Sequence, residues 1–320
     1  MGHVDPALNL LVVGELCVDL IVLLDGDVRF GQHEQLVTST TLTMGSSSAI
    51  TACGAARLGV PTALVAVRGD DVFGRFLGEE LSRRGVVEAG RVDATTPTGS
   101  STHLSRPDGD RAILTAMGSI GAVTAADVTD EMLDGSAHLH VGSYFLQESL
   151  WADAAALFAR ARARGLSTSL DGNFDPAEQW DRGILAVLAE VDVFFGNEQE
   201  VAGITGIADP DAAIGHLLGI MPDGATVVFK RGADGASAVT RAGSLSARPP
   251  ASAIVDTVGA GDSLAAGYLA ARLRGDAPDR QLAYAVACGT ASTRAAGGTA
   301  AQADAALAAE LAATIAVTAP

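Results

Sequence analysis

The chain has 320 residues, 48% of them hydrophobic, and a formal net charge of −17. Its length suits one large α/β domain with an elaboration, or two small domains. The acidity argues against general binding to nucleic acid or an anionic membrane, which need a basic footprint, and no apolar run approaches the ~20 residues of a membrane span.

In chain order, buried strands are predicted at Leu10–Val13, Ala63–Val67, His138–Phe145, Ser167–Leu170, Val191–Phe195 and Val227–Lys230. Helical periodicity fits Ser47–Leu58, Gly74–Arg84, Leu150–Arg164, Gly261–Arg274, Arg280–Ala295 and a run from Ala303. Such alternation predicts a mostly parallel sheet covered by helices on both faces.

Two stretches break the alternation, about residues 21–43 and 86–117, where the chain turns Thr/Val/Ser-rich. Gly99–Ser105 and Arg111–Met117 read as a hairpin across a turn at Pro107–Asp110. Both inserts are expected to form a small β-lid over the open edge of one domain spanning residues 1–320. Lid strands with open edges invite pairing, so a homodimer through the lid is expected.

The N-terminus has no basic cluster, and Glu15 and Asp19 interrupt the apolar stretch from Leu8, so a cytoplasmic protein is expected. Cys17, Cys53 and Cys288 lie apart among apolar neighbours, the pattern of buried free thiols. The chain has a single lysine, Lys230.

The most specific segment is Asp256-Thr-Val-Gly-Ala-Gly-Asp-Ser263, which runs into a predicted helix. Gly259 and Gly261 let the backbone turn tightly and approach a ligand. A turn that opens a helix presents unpaired N–H groups and the positive dipole end, which suits an anion. Asp262 at that spot is either a helix cap or a base that takes a proton from an attacking hydroxyl. The string is neither a P-loop nor a dinucleotide fingerprint, because the required lysine and third glycine are missing.

Asp256–Ser263 followed by Gly267 resembles the C-terminal signature of the ribokinase family, also called the phosphofructokinase B family of sugar kinases. Gly14–Asp19, Gly45–Gly59, Gly69–Gly74, Asn197–Glu200, Lys230–Gly235 and Thr293–Gly297 resemble further family motifs in the family's order. The resemblance implies a ribokinase-like three-layer α/β/α core with a β-sheet lid, and ATP-dependent, Mg2+-assisted phosphorylation of a small sugar.

Residue by residue, it implies Asp262 as the base and the Gly259, Ala260 and Gly261 amides as the anion hole. Asn197 would help hold Mg-ATP, with Glu200 acting on Mg2+ through water. Lys230, Gly232 and Gly235 would lie along the ATP. Asp19 and the turn Gly45, Ser46, Ser47 and Ser48 would contact the substrate. Asp256 and the Val258 carbonyl match positions that bind a monovalent cation such as K+ in some members. A nucleoside kinase of the same family and a non-catalytic ligand-binding member are the alternatives.

Three departures stand out. Ser46 replaces the usual second glycine, and Ile50 replaces an asparagine that contacts the sugar in ribokinase. Asp175 stands where arginine is frequent, which disfavours acceptors bearing a carboxylate or phosphate unless Arg68, Arg106, Arg111 or His103 compensates. The serines at 46–48 either supply replacement hydroxyls or cap the helix.

Overall fold

A computed structural model describes residues 9–106 and 110–319. Among them, ten strands form one large sheet. Its spatial order is Val86–Glu88, Thr62–Val65, Leu10–Val13, His138–Val141, Ser167–Asp171, Val193–Asn197, Thr226–Lys230, Ala236–Thr240, Gly243–Ala247, Val317–Thr318. The strands up to Thr226–Lys230 run parallel, and the remainder add antiparallel.

Strand Leu10–Val13 is buried on both sides. Leu10 and Val12 pack into one apolar core, and Leu11 and Val13 into the other. Such strands read as unbroken apolar runs because neither face meets water. Helices Ser47–Arg57, Ala260–Leu273 and Pro278–Ser292 cover one face, and Ala154–Ala163 and Pro210–Ile220 the other. Small residues set how closely these helices approach: a Cβ on Gly267 would lie 2.8 Å from Cys288 Sγ.

A second sheet has the order Ser39–Met44, Cys17–Leu23, Gly99–Ser105, Arg111–Ala116. Side chains alternate across it. Asp19, Ser101, His103, Ile113 and Thr115 line a cavity on one face, while Leu20, Leu42 and Leu114 are 37–59% exposed on the other.

The structure shifts several predicted elements. Ala63–Val67 divides into Thr62–Val65 and Val67–Gly69, the latter pairing with Arg91–Asp93 in a separate two-stranded sheet. The strand from His138 ends at Val141, because Ser143 adopts φ +49° and donates its hydroxyl to Glu15. Val86–Glu88 joins the large sheet, so from the stretch 86–117 only Gly99–Ser105 and Arg111–Ala116 enter the small one. Those two strands pair antiparallel as expected, while residues 107–109 of the expected turn lie outside the described residues.

Candidate active site

A cavity of about 1370 Å³ opens between the small sheet and the loops that follow the parallel strands. Its wall includes Glu15, Asn173, Asn197 and Lys230, each at or just beyond a C-terminal strand end. Open α/β sheets bind ligands there because the chain splays away from each strand end and leaves polar groups free.

Asp262 lies in the first turn of helix Ala260–Leu273, whose N-cap Gly259 has φ +73°. Gly259 also has no room for a side chain: a Cβ would lie 2.6 Å from Gly298 Cα. Gly259, Ala260, Gly261 and Asp262 all line the cavity. The Ala260 amide is engaged with Thr257 O at 3.3 Å, a long bond.

The Asp262 carboxyl is pushed up to about 7. Enclosure in the site contributes most, followed by the negative charge of Asp171, while Lys230 opposes both. A carboxyl at this value is close to half ionised near neutrality and is matched to exchanging protons there.

Lys230 ends strand Thr226–Lys230 and places Nζ 2.9 Å from Asp171 Oδ2 and 3.6 Å from Glu200 Oε2. Burial alone would lower its pKa, but Asp171 and Glu200 carry it above the ordinary lysine value. The ammonium therefore stays charged. Gly232 and Gly235 follow with φ +56° and +85° and line the same wall.

Asn197 and Glu200 form a reciprocal capping box at helix Glu198–Thr205. Asn197 Oδ1 accepts from the Glu200 amide at 3.0 Å, and Glu200 accepts from the Asn197 amide at 2.9 Å. The box satisfies two amides that the first helical turn leaves unpaired, and it fixes both side chains at the cavity wall.

Asp19 is 5% exposed, with Oδ1 at 3.5 Å from His103 Nε2. Gly45 braces it: a Cβ there would overlap the Asp19 carboxylate. Ser46 has φ +75°, the conformation that favours the glycine it replaces. Its Oγ donates to Glu15 O at 2.5 Å and accepts from the Ala49 amide at 3.1 Å, capping helix Ser47–Arg57. Ser47 accepts from Asn173 Nδ2 at 3.2 Å and lines the cavity.

Two expectations at this turn need correction. Ser48 is fully buried, donates to Glu15 Oε2 at 2.5 Å and is absent from the cavity wall. It is a strut. Gly45 likewise acts by making room for Asp19 and does not line the cavity. Ile50 reaches the wall but packs on the backbone of Gly259 and Gly298.

Asp175 is corrected too. It is 2% exposed and accepts from the Ala177, Gln179 and Trp180 amides at 2.7–2.9 Å, so it staples its own loop. Its charge does not face the cavity, and the argument against an acidic acceptor loses its basis. At the turn before helix Ala260–Leu273, Asp256 accepts from the Val258 and Gly297 amides at 3.0 and 2.9 Å, and Arg111 stands 3.6 Å away.

Two site residues carried no role in the sequence reading. Glu15, 2% exposed, accepts from Ser48 and Ser143 and ties the first strand, the serine turn and the strand from His138 together. Its interruption of an apolar run was the available signal. Asp171, 3% exposed, holds Lys230. His138 and His140 lie outside the site, bonded to Ser167 and Ser169 in the sheet.

The model of the pfkB family of carbohydrate kinases matches residues 7–305. The ATP-dependent ribose-1-phosphate kinase of Halopiger xanaduensis is 32% identical over 291 residues, covering 90% of this chain and 88% of the relative. The 2-dehydro-3-deoxygluconokinase of Thermoproteus tenax is 32% identical over 298 residues, covering 88% and 87%. In fold, the chain is similar to Arabidopsis thaliana ribokinase complexed with ribose and ATP, with a TM-score of 0.84 at 21% identity, covering 96% and 99%.

Proposed function

The chain belongs to the pfkB family of carbohydrate kinases and is an ATP-dependent sugar kinase; on that premise we propose that it phosphorylates a hydroxyl of a small sugar with Asp262 as general base. The observation that carries this reading is a carboxyl at about 7, set among glycine amides at a helix N-terminus on a cavity wall.

In this reading the acceptor hydroxyl gives its proton to Asp262 as its oxygen attacks the γ-phosphorus in line, and the bond to the ADP oxygen breaks. Gly259 and Gly261 amides and the helix end stabilise the charge that builds on the transferring group. Asp19 and Ser47 hold the acceptor, and Asn197, Lys230, Gly232 and Gly235 hold the nucleotide. The small sheet acts as a lid that excludes water and so suppresses ATP hydrolysis.

Glu200, a carboxylate on the cavity wall beside Asn197, fits a Mg2+ carried on the ATP phosphates: it would hold the ion through a water, and the ion would neutralise phosphate charge. In the same reading Asp256 and the Val258 carbonyl are the place for a monovalent cation such as K+, with Arg111 3.6 Å from that carboxylate.

A second reading has one observation in its favour. Arg111 lines the cavity at 3.6 Å from Asp256, a separation that leaves its guanidinium able to meet an acceptor phosphate or carboxylate. The outer row Leu20, Leu42 and Leu114 supports self-association through the small sheet, which sedimentation of the purified chain tests.

ADP release with Mg-ATP tests the function across ribose, fructose, ribose 1-phosphate, 2-dehydro-3-deoxygluconate and adenosine. One sugar acceptor well above the others is the expected result. Preference for an anionic one, lost in Arg111→Gln, would establish the second reading. No ADP release with any sugar or sugar derivative would sink both.

A further inference from the structure

His103 comes from strand Gly99–Ser105 of the small sheet and is 6% exposed. Its Nδ1 has no partner, and its Nε2 reaches no closer than 3.5 Å to Asp19 Oδ1, too long for a good hydrogen bond. Buried polar groups are rarely left so, because each lost its water on folding. The neighbouring hydroxyls offer no relief: Ser101 and Thr115 are bonded to each other at 2.9 Å. Asp19 cannot withdraw, since it is buried and braced by Gly45. Both groups face the cavity that contains Asp262.

We propose that His103 is a specificity-determining residue that grips one acceptor hydroxyl jointly with Asp19. The hydroxyl donates to Asp19 Oδ1 and accepts from His103 Nε2–H, bridging the two side chains from the cavity. The proton is assigned to Nε2, which leaves a bare lone pair on Nδ1, easier to bury unpaired than an N–H. The class selected is a polyol in which a hydroxyl other than the phosphorylated one makes this bridge. A deoxy analogue at that position leaves both groups unpaired, and such sites reject the missing hydroxyl strongly. The inference rests on the kinase reading above.

The test is steady-state ADP release by the full chain with paired probes. These are ribose and 2-deoxyribose, fructose and 1-deoxyfructose, ribose 1-phosphate and its 2-deoxy analogue, and adenosine and 2′-deoxyadenosine. In His103→Leu the KM of the hydroxylated acceptor rises ~10–100-fold, the KM of ATP stays within about twofold, and the hydroxyl-over-deoxy preference in kcat/KM shrinks at least ~10-fold. His103→Gln, which keeps an N–H donor, recovers part of the loss. A folded His103→Leu chain with unchanged acceptor KM and unchanged deoxy preference would overturn the assignment. If that variant does not fold, His103→Gln decides through its deoxy preference. A preference reduced at one hydroxyl position supports the grip, and one reduced equally everywhere or nowhere overturns it. A wild-type chain that turns over none of these probes brings down the kinase reading and this inference together; an active wild type with an indifferent His103 brings down the inference alone.

Discussion

Lys230 Nζ lies 2.9 Å from Asp171 Oδ2 and 3.6 Å from Glu200 Oε2, so the chain's one lysine stands between two carboxylates that are each less than 5% exposed. The ammonium also holds down the pKa of Asp262, against the push from enclosure and Asp171. One cation thus bears on three carboxyls: it pairs with Asp171 and Glu200 and opposes the rise of Asp262.

Lys230→Met removes that cation and leaves buried carboxylates unpaired. The expected loss of stability is about 2–4 kcal/mol, measured by urea unfolding at pH 8. ATP binding weakens in parallel. Asp262 loses its opposing charge, so any remaining activity requires a higher pH than in the wild type. An unfolding midpoint equal to the wild type's would show that Asp171 and Glu200 do not depend on Lys230.

The pH dependence of turnover follows from Asp262, whose carboxyl lies at about 7. A base must be ionised, so kcat/KM for the acceptor rises with pH and levels off above neutrality. Below about pH 6 it falls roughly tenfold per unit. A rate profile flat down to pH 5 would remove Asp262 from the proton transfer.

Stability responds to pH through groups of opposite sign. Burial lowers His140 from the ordinary 6.5 to about 4, so between those values the unfolded chain binds the proton and stability falls as pH falls. Asp262 is raised from 3.8 to about 7, so across that window the folded chain binds the proton and stability falls as pH rises. Variants separate the two. His140→Asn makes the acid slope shallower, with His138, which burial also holds well below its ordinary value, supplying the rest, and Asp262→Asn raises thermal stability at pH 8 by on the order of 2 kcal/mol. Thermal melts from pH 4.5 to 8 read both, and parallel curves for all three proteins would contradict the assignment.

Ser46 tests the serine turn. Its φ of +75° favours glycine, while its hydroxyl caps helix Ser47–Arg57. Ser46→Ala keeps the strain and loses the cap, which costs about 1–2 kcal/mol. Ser46→Gly loses the cap but relieves the strain, so it stays within about 1 kcal/mol of wild type. Equal losses in both variants would mean that the conformation is not strained.

Much of this was legible in the chain because the signals were local. Buried parallel strands such as Leu10–Val13 are continuous apolar runs, and the Gly259–Asp262 turn carries its own geometry in its glycines. What escaped depends on partners far apart in sequence. Ser48 read as a substrate contact because nothing near it shows that Glu15, 33 residues away, takes its hydroxyl. Asp175 read as a charge facing the acceptor because an acid engaged with three local amides has the same letter as one facing a ligand. Asp171 drew no role, since its partner Lys230 lies 59 residues on.

The most direct measurement is single-turnover phosphoryl transfer by Asp262→Asn beside the wild type, using the best acceptor from the ADP-release panel and with ATP affinity determined separately. Asparagine keeps the size of the side chain and cannot accept the proton as a carboxylate does. Transfer slower by roughly 10²–10⁴, with ATP affinity nearly unchanged, is the expected result. Near-normal transfer by the variant would contradict the central claim that Asp262 is the base.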